Sequence, residues 1–130
     1  LTTGSHNTAI GAQSLINTTG SENTAIGYAA GQTVTTGTRN TFLGQGANTS
    51  LATITNATAI GYGSSVTASN SIQLGNASVN LVNTDGAITA GGVVTGSSIV
   101  KAGGTSSQFL KADGSIDANS YTSAIMPTIM

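Results

Sequence analysis

A short element, NTAIG, returns along the first part of this chain at near-constant spacing. It reads HNTAIG ending at Gly11, ENTAIG ending at Gly27, RNTFLG ending at Gly44, NATAIG ending at Gly61 and NSIQLG ending at Gly75. The closing glycines are separated by 16, 17, 17 and 14 residues. A fixed period of this size means that each copy is one small unit unable to bury its apolar face alone, so copies must stack. Between the early copies lies a second recurring piece, TTGSHN at 2–7, TTGSEN at 18–23 and TTGTRN at 35–40. Its Gly accepts positive φ and its Ser, Thr and Asn side chains bond nearby backbone, which is turn chemistry.

Within each element β-branched residues alternate with others and Gly closes the run, the pattern of a short strand. One strand face carries Thr8 and Ile10, Thr24 and Ile26, Thr41 and Leu43, Thr58 and Ile60, and Ile72 and Leu74. The other carries Ala9, Ala25, Phe42, Ala59 and Gln73. The expected core is the large apolar column, Ile10, Ile26, Leu43, Ile60, Ile72 and Leu74, filling the inside of each coil. The mostly Ala column is expected to let another backbone approach closely. Gly11, Gly27, Gly44, Gly61 and Gly75 are expected to be the repeat's turn glycines. No 3.6-residue apolar stripe persists, and Thr, Asn, Gly and Ser fill every window, so a helical reading fails. A coil of this length holds two short strands and two turns. The fold class expected is therefore all-β, a repeat-built parallel β-roll or β-helix solenoid.

Composition agrees with a thin structure. Charged residues are 5% and aromatic residues 4%, against a usual charged share of about a quarter. The net charge of −1 and 38% hydrophobic content oppose disorder, which usually pairs high charge with low hydrophobicity. The basic residues Arg39, Lys101 and Lys111 are too few to neutralise a run of phosphates, so nucleic-acid binding is not expected. The absence of cysteine excludes disulfides and thiolate chemistry. No apolar run approaches the roughly 20 residues of a spanning helix, so membrane insertion by this segment is not expected. The chain starts in mid-repeat without Met, and the expectation is a piece of something longer.

Three segments are expected: β-roll repeats over 1–78, a β-rich connector over 79–107, and a C-terminal hairpin or cap over 108–130. NTDG at 83–86 suits a tight hairpin turn, as does ADG at 112–114 between QFLK and SIDANSY. The final AIMPTIM, with the only proline, Pro127, reads as a buried tip or the start of a further segment.

Chemistry-bearing residues are sparse. His6 could place imidazoles around a metal in an assembly of chains, but Glu22 and Arg39 occupy the same position in later copies, which marks an exposed turn. Asp85, Asp113 and Asp117 lack the dense alternation of a calcium loop and read as turn residues. GYAAG at 27–31 and GQGAN at 44–48 lack the Lys and Ser/Thr of a phosphate loop. The sequon Asn48-Thr49-Ser50 is what a chain rich in Asn, Ser and Thr produces readily. One His, four acids and no Cys make neither a carboxylate pair nor a nucleophile–base set arguable, so no catalytic, cofactor or metal site is assigned and the chain is not expected to be an enzyme.

The stretch NATAIGYGSSVTASNSIQLGNAS at 56–78 resembles the head repeats of trimeric autotransporter adhesins, and the Gly61–Gly75 spacing matches that family's period. NTTGSENTAIGYAAG at 17–31 is similar to repeats of phage and viral tail-fibre proteins, and GSSIVKAGGTSSQFLKADGSIDANSY at 96–121 resembles a segment near the distal end of such fibres. The inserted TTG turns lengthen the coils beyond the adhesin period, and Thr stands where the adhesin repeat has Val. What the resemblance implies is an intertwined homotrimeric β-fibre, extracellular, on a virion or cell surface. It would serve host or surface attachment with a cell-surface glycan or protein as receptor, tail fibre being favoured over a bacterial adhesin head. From a different class, ranks of Thr8, Thr24, Thr41 and Thr58 suggest an ice-binding solenoid, opposed by their sharing a face with the Ile and Leu assigned inside.

Overall fold

The computed structural model describes residues 3–95 together with 109–110 and 116–117. Every repeat element forms a three-residue strand: β1 Thr8–Ile10, β2 Thr24–Ile26, β3 Thr41–Leu43, β5 Thr58–Ile60 and β7 Ile72–Leu74. They make one parallel sheet in the order β1-β2-β3-β5-β7, with Thr on Thr and Ile or Leu on Ile through the first four rungs. β4 (Asn48–Thr49) and β6 (Ser65–Val66) form a second parallel pair. No helix occurs among the described residues, and the stack is a β-solenoid of about four turns. The turn glycines Gly11, Gly27, Gly44, Gly61 and Gly75 all lie at positive φ, between 76° and 132°. An L side chain is rarely tolerated there.

The solenoid's inside is the reverse of the expectation. Ala25, Phe42 and Ala59 are fully buried, whereas Ile10, Ile26, Leu43, Ile60, Ile72 and Leu74 are between 37% and 71% exposed. The reason is thickness. Opposite the first sheet runs a column of small buried residues, Ser14, Ala30, Ala47 and Ser64, and the Ser14 hydroxyl donates to the Ala25 carbonyl at 3.1 Å. Two walls that close leave room for a methyl group, not for a rank of Ile side chains. The larger buried side chains Leu15, Val34, Ile54 and Val66 come from other positions of the coils. Phe42 fits because Gly31 faces it: a Cβ there would stand 2.8 Å from Phe42 Cδ2 and 2.7 Å from Leu15 Cδ2.

A buried amide ladder runs beside the first sheet. The Asn7 side chain donates to the Gly20 carbonyl at 2.8 Å, Asn23 to Gly37 at 2.9 Å, and Asn40 to Ile54 at 2.8 Å. Each amide oxygen accepts from the backbone N–H one coil further on: Asn23 to Asn7, Asn40 to Asn23, and Ala57 to Asn40. Buried polar groups tolerate a dry interior only when bonded, and no buried side-chain donor or acceptor lacks a partner among the described residues. At the fourth coil Ala57 and Ile54 stand where earlier coils have Asn and Gly, and the ladder passes into apolar filling.

The TTG turns stack backbone on backbone. A Cβ at Gly20 would lie 1.9 Å from the Gly37 carbonyl oxygen, and one at Gly37 would lie 2.1 Å from that of Ile54. Only glycine permits that approach.

The chain divides into two compact units, Leu1–Asp85 and Gly86–Met130. Residues 79–95, part of the expected β-rich connector, carry no strand and are exposed; 96–107 lie outside the described residues. Asp85 and Gly86 form a bend, but no strands flank it, so NTDG closes no hairpin. The Val, Ile and Thr runs there have strand propensity but form no strand over 79–95. In the second unit β8 (Phe109–Leu110) pairs antiparallel with β9 (Ile116–Asp117). The expected ADG turn and AIMPTIM lie outside the described residues.

Candidate functional site

Parallel in-register stacking repeats each outward side chain at the strand spacing of about 4.8 Å. The first sheet therefore carries two outward columns, Thr8-Thr24-Thr41-Thr58-Ile72 and Ile10-Ile26-Leu43-Ile60-Leu74. Scattered exposed apolar residues are ordinary, but a contiguous apolar rank marks an interaction surface. This rank is continuous over five rungs and carries no charge.

Two columns border it. Before the strands stand His6, Glu22, Arg39, Asn56 and Asn70, all exposed and all left-handed, with φ between 53° and 62°. Arg39 Nε lies 3.6 Å from Glu22 Oε2 one coil away, with both side chains more than half exposed. Beyond the turn glycines stand Ala12, Tyr28, Gln45 and Tyr62. This column is held in register by backbone bonds from Ala29 to Ala12, Gly46 to Tyr28 and Gly63 to Gln45, each 2.9–3.0 Å.

His6 lies on the exposed border and Asp85 in an exposed bend, whereas Asp113 lies outside the described residues. Asp117 stands opposite Phe109 in β9. The described residues hold no group of three or more His, Cys, Asp or Glu close enough for a shared metal. Asn48 of the sequon accepts from the Thr33 N–H at 3.1 Å, so its amide is engaged within the solenoid. GYAAG falls in a turn between strands, and GQGAN runs through a turn into the first residue of β4. No helix of the described residues is long and apolar enough to cross a membrane.

Sequence reasoning identified the residues of the outward rank but placed them inside. It passed over the Asn column, although Asn directly precedes the strand in the first three copies, and over the two tyrosines of the column beyond the turn glycines. Comparison with family models, with curated proteins and with solved structures gives no match for this chain.

Proposed function

We propose that this chain is a segment of an extracellular homotrimeric fibre, borne on a virion or cell surface, that serves attachment and carries no catalysis of its own. The observation that supports it most is the uncharged Thr/Ile rank on the outside of a solenoid too thin to bury it. Three such narrow faces meeting around one axis cover one another, and with rotational symmetry each rung meets its equivalents at one height. Association supplies the burial that the small interior lacks. The resemblance of the repeats to viral tail-fibre proteins favours a virion fibre; the trimeric autotransporter head is the neighbouring alternative. The partner beyond the fibre itself is a surface glycan or protein. Replacing Ile26 and Ile60 together by Lys should leave the β-type circular dichroism in place and dissociate the assembly in sedimentation velocity. An unchanged sedimentation coefficient would remove this face from the assembly and the proposal with it.

The outward Thr column also supports a second reading, ice binding. The objection that Thr shares a face with buried Ile and Leu no longer holds, because that face is outside. A parallel sheet repeating Thr and Ile in register presents a regular rank to solvent. Thermal hysteresis at high protein concentration, abolished by Thr41→Lys, would establish this reading; smooth freezing without ice shaping would end it.

A further inference from the structure

Tyr28 and Tyr62 are 50% and 70% exposed, large apolar rings that the solenoid leaves in water. They stand in one column with Gln45 between them. Two rungs of parallel sheet separate them, about 9.5 Å at the usual strand spacing. The backbone around them is rigidly stacked: Gly46 donates to the Tyr28 carbonyl at 2.9 Å, and the Asn76 side chain donates to the Tyr62 carbonyl at 3.0 Å. Neither phenol hydroxyl bonds another protein group among the described residues. Directly after Gln45 and Tyr62 in the chain, a Cβ at Gly46 or at Gly63 would meet nothing closer than 3.6 Å.

Aromatic rings with one polar tip bind surfaces that are themselves apolar on one side and hydroxylated at the rim. A pyranose ring is such a surface: its axial C–H bonds lie against the negative π face, and its hydroxyls reach neighbouring amides. Two rungs match the length of two sugar residues in an extended chain, so one glycan strand can cover both tyrosines with Gln45 bonding the hydroxyls between. The column itself is uncharged, which selects against an ionic ligand. We infer that Tyr28, Gln45 and Tyr62 form a binding platform for a neutral extended oligosaccharide lying along the solenoid axis. This rests on the attachment reading above and names the ligand class.

The test is titration of the full chain with cello- and chito-oligosaccharides of two to six residues and with α-mannan. It is followed by saturation-transfer NMR and by tyrosine fluorescence, which the absence of Trp leaves unobscured. Binding by at least one series is expected to tighten from disaccharide to tetrasaccharide. It should weaken at least tenfold in the Tyr28→Ala, Tyr62→Ala double variant, the size of a lost stacking contact, while Gln45→Ala should lower it severalfold. Sedimentation of the double variant separates this inference from the assembly: the mass should equal the parent's. No binding by any probe, affinity indifferent to length, or affinity unchanged in the double variant would overturn the platform and leave the fibre standing. A dissociated double variant would place the tyrosines in the chain–chain interface and also overturn it.

Discussion

The side-chain oxygen of Asn23 accepts two hydrogen bonds from Asn40, one from its backbone N–H at 3.0 Å and one from its side-chain amide at 2.9 Å. That pairing ties the second coil to the third inside a dry interior. Its worth lies in what its removal would orphan.

Asn40→Ala deletes the donor to Ile54 and the acceptor for the Ala57 N–H, both buried. Each abandoned group costs about 1–3 kcal/mol, so a loss of ~2–6 kcal/mol is expected in denaturant unfolding. Asn56→Ala, at an exposed position of the bordering column, should cost only ~0.5–1 kcal/mol, the share by which its φ of 53° favours asparagine over alanine. Equal effects of the two would show that the ladder carries no special weight.

Gly20→Ala puts a methyl group against the Gly37 carbonyl, a backbone atom that cannot swing aside. Destabilisation of ~3 kcal/mol or more is expected. At Gly91, where an added Cβ meets nothing within 4 Å, alanine should stay within about 0.5 kcal/mol. Thermal melts of the pair give the comparison.

Adjacent residues on β3 should respond oppositely. Phe42→Ala empties the largest fully buried side chain among the described residues and should cost ~3–5 kcal/mol of coil stability. Leu43→Ser removes an outward group; it should spare the circular dichroism of the solenoid while lowering the mass of the assembly. A collapse of secondary structure with Leu43→Ser would restore the inward assignment.

Glu22 holds φ at 62°, a left-handed conformation that costs an ordinary side chain about 1–2 kcal/mol and that asparagine adopts more readily. Glu22→Asn should stabilise by ~0.5–1 kcal/mol, because the exposed Arg39 contact it gives up contributes little. A lower melting temperature would mean that the ion pair outweighs the strain.

The strands were legible because NTAIG carries its own boundaries: Asn and turn residues before, Gly after, β-branched residues between. The five strands of the first sheet fall on the elements read from the sequence. Which face turned inward was not legible from alternation, which separates two faces without labelling them. Thr24 and Ile26 gave opposing signals on one face, and the usual burial of Ile decided wrongly. The deciding fact was the small column Ser14-Ala30-Ala47-Ser64 on the opposite wall, visible in the sequence only once the coil's path is known. Residues 79–95 were less legible: their Val, Ile and Thr runs favour strand by propensity, yet carry none.

The outward Thr/Ile rank as an association face is tested most directly by the solution mass of the purified chain by light scattering. Three times the 12.7 kDa of one chain is the predicted result. A monodisperse particle of 12.7 kDa, with Ile26 and Ile60 in water, would contradict it.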